Sequence, residues 1–140
     1  VPIFASLAKE FDNIHLDVYS GFEIYGWGER NEAYKPLFAQ IEEHPNMTYH
    51  GVKSNDEVLE ALDKSHIFLY PNIWKETSCI ALLEAIKSQM ICIHPNYGAL
   101  PETGANATIM YDWSEDMNIR FAEDIIKSYP QYFGYEPKTF

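Results

Sequence analysis

The sequence alternates between short apolar segments and longer amphipathic ones, and this alternation limits the fold more than any other feature. The short segments predict five strands, over residues 14–19, 47–50, 67–70, 90–94 and 107–111. The segments between and around them have the period of helices and predict helices over residues 2–11, 31–43, 54–64, 77–88 and 115–128. Strands that alternate with helices are typical of a parallel sheet covered by helices on both faces.

We therefore predict a doubly wound, Rossmann-like α/β domain. The 140 residues are enough for one domain, spanning residues 1–140. The chain begins with a helical segment, so we expect the first strand of this architecture to be missing or to lie upstream. In such sheets a ligand binds beyond the carboxyl ends of the strands.

The charge of the chain restricts its partners. Its formal net charge is −11, with no run of Lys or Arg to offset it, so nucleic acid and anionic membranes should be repelled. No apolar stretch approaches the ~20 residues that cross a bilayer. An anionic ligand would have to be bound mainly by backbone amides and helix ends.

Two cysteines, Cys79 and Cys92, lie inside apolar segments of different predicted elements. We interpret them as buried and reduced, which suits a cytoplasmic location; a disulfide between them is the alternative. Neither has the spacing to a His or a second Cys that metal sites show, so no metal is predicted.

The junction between the third strand and the following helix carries the most informative residues. Glu76 opens this junction and Glu84 follows eight residues later. The predicted helix would present the N–H groups of Thr77, Ser78 and Cys79 to a phosphate. If residues 76–84 were all helical, the two glutamates would be about 12 Å apart along the axis. That span is comparable to the distance from the hexose to the ribose of a nucleotide sugar.

Two glutamates at this spacing are common by chance, and most are solvated surface residues. Glu84, however, lies within the largely apolar segment 81–86. An unpaired carboxylate is costly in such surroundings, so Glu84 should require a partner. The pair gains weight from its position at a strand-to-helix junction.

From residue 49 to residue 103 the sequence resembles a known family. The E-x7-E pattern of Glu76 and Glu84, followed by GALPETGA from Gly98 to Ala105, is similar to the C-terminal, donor-binding half of GT-B retaining glycosyltransferases (glycosyl transferases group 1, family 4-like). The resemblance implies a hexosyltransferase that takes a nucleotide-diphosphate sugar as donor. It implies retention of configuration, no bound metal and no other cofactor, as in enzymes of polysaccharide biosynthesis.

The resemblance also implies a role for each matching residue. Glu76 would be the catalytic residue that contacts the donor sugar, and Glu84 would bind the ribose. The remaining donor-binding residues would hold the diphosphate and the base: Thr77, Ser78, Cys79, Gly51 and Val52. The acceptor, a glycan, lipid or protein, would bind through an N-terminal domain that this chain lacks.

The sequence departs from the family pattern in two respects. Thr77, Ser78 and Cys79 stand where the family has a glycine-rich segment, so side chains would crowd the sugar and phosphate. The family's Arg and Lys on the diphosphate come from a segment that is absent here. We therefore expect this chain alone to bind a donor weakly and to show little or no turnover.

Two alternative functions stay open, and three further residues each have two possible roles. The chain could be a non-catalytic Rossmann-like module that binds a nucleotide or a protein, or a nucleotide-sugar epimerase of the GT-B type. His94, Asn96 and Tyr97 follow a central strand and could face the ligand, although a structural role is the preferred interpretation for His94.

Overall fold

The computed structural model describes residues 1–21 and 26–114. The chain divides into two compact units, Val1–Val58 and Leu59–Phe140. Each unit contains a parallel sheet, which confirms the predicted α/β class. The hydrogen bonds assign the five described strands to two sheets, one of two strands and one of three.

The first unit combines two strands with helical segments. Its elements are α1 (Pro2–Leu7), β1 (Leu16–Tyr19), a 3₁₀ helix (Gly28–Tyr34), α2 (Lys35–Glu43) and β2 (Met47–Gly51). Strands β1 and β2 pair in parallel. The core of the unit is formed by Phe4, Ile41 and Met47, all nearly inaccessible to solvent.

Helix α3 (Asn55–Lys64) begins at a capping box formed by Ser54 and Glu57. The backbone N–H of Ser54 donates to Glu57 Oε2 at 3.0 Å, and the N–H of Glu57 donates to Ser54 Oγ at 3.3 Å. These reciprocal bonds satisfy donors that a helix start otherwise leaves unpaired. The boundary between the two units lies within this helix.

The second unit contains a three-stranded parallel sheet in the order β3-β4-β5. Its elements are β3 (Ile67–Leu69), α4 (Ile80–Lys87), β4 (Ile91–Pro95), α5 (Leu100–Gly104) and β5 (Ile109–Tyr111). Strand β4 is central and, after its first residue, buried along its length. The core side chains come from α4, β4, the residues next to them and the start of α5: Cys79, Leu82, Ala85, Met90, Cys92 and Leu100.

Several predicted boundaries change. The helix predicted over 2–11 ends at Leu7 and continues as turns, and the one predicted over 31–43 is split into 3₁₀ and α segments. The segment 98–105, for which no helix was predicted, contains α5. This helix has only five residues and is followed by Ala105, its C-cap, in a left-handed conformation, so it depends on the buried Leu100 more than on propensity.

The helix predicted over 115–128 lies outside the described residues. Within the described part of the chain, no helix has the length and apolarity needed to cross a membrane.

Candidate functional site

The loop between β3 and α4, residues 70–79, follows the carboxyl end of β3 and is held by Asn72. The Asn72 side chain donates to the Trp74 carbonyl at 2.6 Å and accepts the Trp74 N–H at 2.8 Å. The Asn72 N–H donates to the Tyr70 carbonyl at 2.8 Å. These bonds give the first half of the loop a defined path toward Glu76.

Glu76 is held through both its side chain and its backbone. The Tyr70 hydroxyl donates to Glu76 Oε1 at 2.7 Å, and the carboxylate is half-buried. The Ala99 N–H donates to the Glu76 carbonyl at 2.9 Å. The loop after β4 is thus hydrogen-bonded to the loop after β3, as expected where neighbouring parallel strands end at one edge of a sheet.

Gly98 allows this contact between the two loops. A Cβ atom at Gly98 would lie 2.7 Å from the Glu76 carbonyl oxygen and 2.8 Å from its nitrogen. Gly98 also has a φ of +61°, in the left-handed region that side chains disfavour. Both the approach and the conformation therefore require glycine.

Helix α4 begins at Ile80, three residues later than predicted, which corrects the geometry expected for the glutamate pair. Cys79 is the N-cap, with an extended backbone (φ −123°, ψ 91°), and Thr77 and Ser78 are exposed in the loop before it. The bond from Ala99 holds Glu76 away from helical geometry. Residues 76–84 are therefore not one helix, and the helical spacing of about 12 Å does not apply.

The later start also changes which amides lie at the helix end. The Leu83 N–H makes the first bond of α4, to the Cys79 carbonyl at 3.3 Å. The N–H groups of Ile80, Ala81 and Leu82 precede this bond, so they take the position predicted for Thr77 to Cys79. The first turn of α4 contains no acidic residue, so its partial positive charge is not offset by a carboxylate there.

Cys79 and Cys92 are both buried and free, as predicted. Burial raises the pKa of the Cys79 thiol, and hydrogen bonding from the amides of Leu82 and Ala81 acts in the opposite direction. The thiol is consequently neutral near pH 7 and adds no negative charge beside the helix start.

Glu84 is half-buried in α4. Its carboxylate forms no hydrogen bond or ion pair with any other residue in the described ranges, so the partner predicted for it is not among them. Two neighbours on the helix, Ile80 and Leu83, are exposed to 68% and 50%. The side of α4 that carries Glu84 is therefore accessible to solvent in the described structure.

Gly51 and Val52 lie in the first unit. Gly51 ends β2 with a φ of +69° and open space around the position of a Cβ. Val52 follows it and is 42% exposed. Their predicted contact with a base stays a prediction.

His94 has a structural role, as preferred from the sequence. Its side chain is fully buried; Nδ1 lies 2.9 Å from the Pro95 carbonyl oxygen and Nε2 lies 2.8 Å from Thr108 Oγ1. A carbonyl only accepts, so Nδ1 carries the proton and Nε2 accepts from the Thr108 hydroxyl. Burial lowers the pKa of His94, and the bond to the Pro95 carbonyl raises it by a smaller amount.

Asn96 and Tyr97 brace the end of the sheet. The Asn96 amide donates to Asp112 Oδ1 at 2.9 Å and accepts the Trp113 N–H at 2.8 Å. The Tyr97 ring stacks on Trp113 with centroids 4.3 Å apart. These contacts join the loop after β4 to the segment after β5.

Three residues that position Glu76 were not identified from the sequence: Tyr70, Gly98 and Ala99. Tyr70 was predicted only as the last residue of a strand, and the other two only as part of the GALPETGA segment. Each acts through a contact across the chain, for which a single sequence carries no signal.

The parallel strands and the helices between them define a Rossmann-like α/β fold. Within the described ranges, no three His, Cys, Asp or Glu side chains are close enough together to hold a metal ion. The model of the family described as glycosyl transferases group 1 matches residues 3–125. The chain therefore belongs to this family, whose activity is glycosyl transfer. No curated protein matches the chain.

Proposed function

We propose that this chain is the donor-binding half of a retaining hexosyltransferase that uses a nucleotide-diphosphate sugar without a bound metal ion or other cofactor. The observation that carries the proposal is the position of Glu76. It is fastened by Tyr70 and Ala99 at the carboxyl ends of β3 and β4, where Rossmann-like sheets bind their ligands, and α4 begins four residues later.

Glu76 is the proposed catalytic residue and contacts the donor sugar. One of its oxygens, Oε1, accepts the Tyr70 hydroxyl. A carboxylate has about four lone-pair sites, so several remain for sugar hydroxyls. Glu84, without a partner in the described part of the chain, is the proposed acceptor of hydrogen bonds from the ribose diol.

The diphosphate is proposed to bind at the start of α4, along the backbone of Thr77, Ser78 and Cys79 and the first helical amides. A helix start supplies N–H groups that have no partner in the helix backbone, and about half a positive charge. In a chain of net charge −11, such groups supply positive potential without a cationic side chain. They would stabilise the charge that develops on the leaving diphosphate.

The base is proposed to lie at Gly51 and Val52. An acceptor glycan, lipid or protein would be held by another domain, and the reaction would take place in the cytoplasm. The short, neutral side chains of Thr77, Ser78 and Cys79 replace the glycines of the family pattern. Because they would crowd the sugar and phosphate, donor binding should be tested before turnover.

Calorimetry and ligand-observed NMR test the proposal with UDP-glucose, GDP-mannose and ADP-glucose and with the corresponding nucleoside diphosphates. We expect one pair to bind. Glu84→Ala should weaken both members of that pair by about 10- to 100-fold, because hydrogen bonds to a carboxylate contribute roughly 1.5–3 kcal/mol. Glu42→Ala, which removes an exposed glutamate from α2, is the matched control and should have no effect.

Absence of binding to every probe would contradict the proposal. Incubation of the full-length protein with the donor and candidate acceptors separates the alternatives. Transfer of the sugar supports the transferase, conversion of the donor to its epimer without an acceptor supports an epimerase, and binding without reaction supports a non-catalytic module.

A further inference from the structure

The hydroxyl of Tyr70 is the one side-chain group that the described structure bonds to the Glu76 carboxylate. The O···O distance is 2.7 Å and the pair is half-buried. Because the donor is neutral and the acceptor charged, this bond is of the stronger, charge-assisted kind. It leaves Oε2 without a bond to any other described residue.

Tyr70 is itself firmly placed. Its backbone N–H donates to the Ile93 carbonyl at 2.9 Å, which continues the pairing of β3 with β4. Its ring stacks on Phe68 with centroids 5.6 Å apart. The hydroxyl therefore belongs to the first residue after β3, which is hydrogen-bonded to β4.

The hydroxyl can only serve Glu76 as a donor. Burial is the largest cause that raises the pKa of Tyr70 well above its ordinary value, and the bond to Glu76 is the second. The proton therefore stays on the phenol at neutral pH.

We propose that Tyr70 is a positioning residue that holds the Glu76 carboxylate in one orientation, with Oε2 directed to the hydroxyls of the donor hexose. This inference rests on the proposed function, in which Glu76 contacts the sugar. A carboxylate held in advance loses less rotational freedom on binding, so the bond increases affinity for the sugar portion of the donor. The diphosphate and nucleoside do not contact Glu76 and are unaffected.

The test compares a sugar nucleotide with its nucleoside diphosphate, using the pair among UDP-glucose and UDP, GDP-mannose and GDP, and ADP-glucose and ADP that the chain binds most tightly. Tyr70→Phe removes only the hydroxyl. We expect it to weaken binding of the sugar nucleotide about tenfold, the lower end for a hydrogen bond to a charged group, and to change nucleoside diphosphate binding by less than about twofold.

The matched control is Tyr111→Phe. Tyr111 is a buried tyrosine of the same sheet, and its hydroxyl has no hydrogen-bond partner among the described residues. Its loss should leave the affinities for both probes unchanged. Unchanged binding of the nucleoside diphosphate by Tyr70→Phe also shows that this variant is folded.

A double-mutant cycle with Glu76→Gln completes the experiment. If Tyr70 acts through the carboxylate, Tyr70→Phe should cost less than about twofold once Glu76 has been replaced. The inference is overturned by a full tenfold loss in the Glu76→Gln background, by equal losses for both probes, or by unchanged affinity for the sugar nucleotide. If the unmodified chain binds no probe, the proposed function fails and this inference fails with it.

Discussion

Replacement of Gly98 by alanine tests whether the two loops of the site are held together as described. The new Cβ would lie 2.7 Å and 2.8 Å from two backbone atoms of Glu76, and backbone atoms cannot rotate away as a side chain can. At a φ of +61°, a residue with a Cβ costs about 1–2 kcal/mol. Overpacking against fixed neighbours adds about 1–3 kcal/mol. The expected loss in the free energy of unfolding is therefore about 2–5 kcal/mol.

Gly26→Ala is the control that separates these two effects. Gly26 has a φ of +71°, and no atom of the described residues would lie within 4 Å of a Cβ there. Its replacement carries the conformational cost alone, about 1–2 kcal/mol. The difference between the two variants isolates the contact with Glu76.

Urea unfolding followed by circular dichroism and tryptophan fluorescence provides the measurement, with the change in free energy taken from the midpoint at constant slope. Gly98→Ala should also weaken binding of the sugar nucleotide, because Glu76 must shift, whereas Gly26→Ala should not. Equal losses of stability for the two variants, within about 0.5 kcal/mol, would refute the argument that Gly98 packs against the Glu76 backbone.

Two further predictions concern stability. Burial lowers the pKa of His94, so the unfolded chain binds a proton at this residue more tightly than the folded chain does. The free energy of unfolding should therefore fall as pH drops below about 6.5, by at most about 1.4 kcal/mol per pH unit. Unfolding measured at pH 7.5 and 5.5 should show a smaller difference for His94→Gln, and an equal difference would contradict the assignment. Ser54→Ala breaks the capping box with Glu57 and should cost about 1 kcal/mol by urea unfolding. Ser20→Ala, which removes an exposed hydroxyl outside any helix, is its control, and an equal effect of both would argue against a capping role.

The two glutamates show that a sequence motif can locate a candidate site but cannot predict its geometry. Their residue types and spacing placed the candidate site at the junction after β3, and the family match supports a glycosyltransferase. The orientation of Glu76 depends on Tyr70, Gly98 and Ala99, and the open surroundings of Glu84 depend on how α4 packs. A motif describes which groups are present, whereas their geometry comes from residues elsewhere in the chain.

Local interactions explain which elements were predictable. The capping box joins Ser54 to Glu57 three residues on, and the apolar segments predict the strands without reference to the rest of the chain. The start of α4 was misplaced because the Glu76 carbonyl is bonded to Ala99, in the loop after β4, and the helix begins only after Cys79. Helix α5 was missed because its five residues are too few to be stable alone.

The sequence by itself determined the α/β class, the order of the elements, the free buried cysteines and the family to which the chain is similar. These follow from periodicity, composition and residue spacing. Only the tertiary structure decided that the strands form two sheets, that Tyr70 binds Glu76 and that Gly98 packs on the Glu76 backbone, 22 positions away in the sequence. Such contacts form when separate strands align in one sheet, and no local pattern in the chain records that alignment.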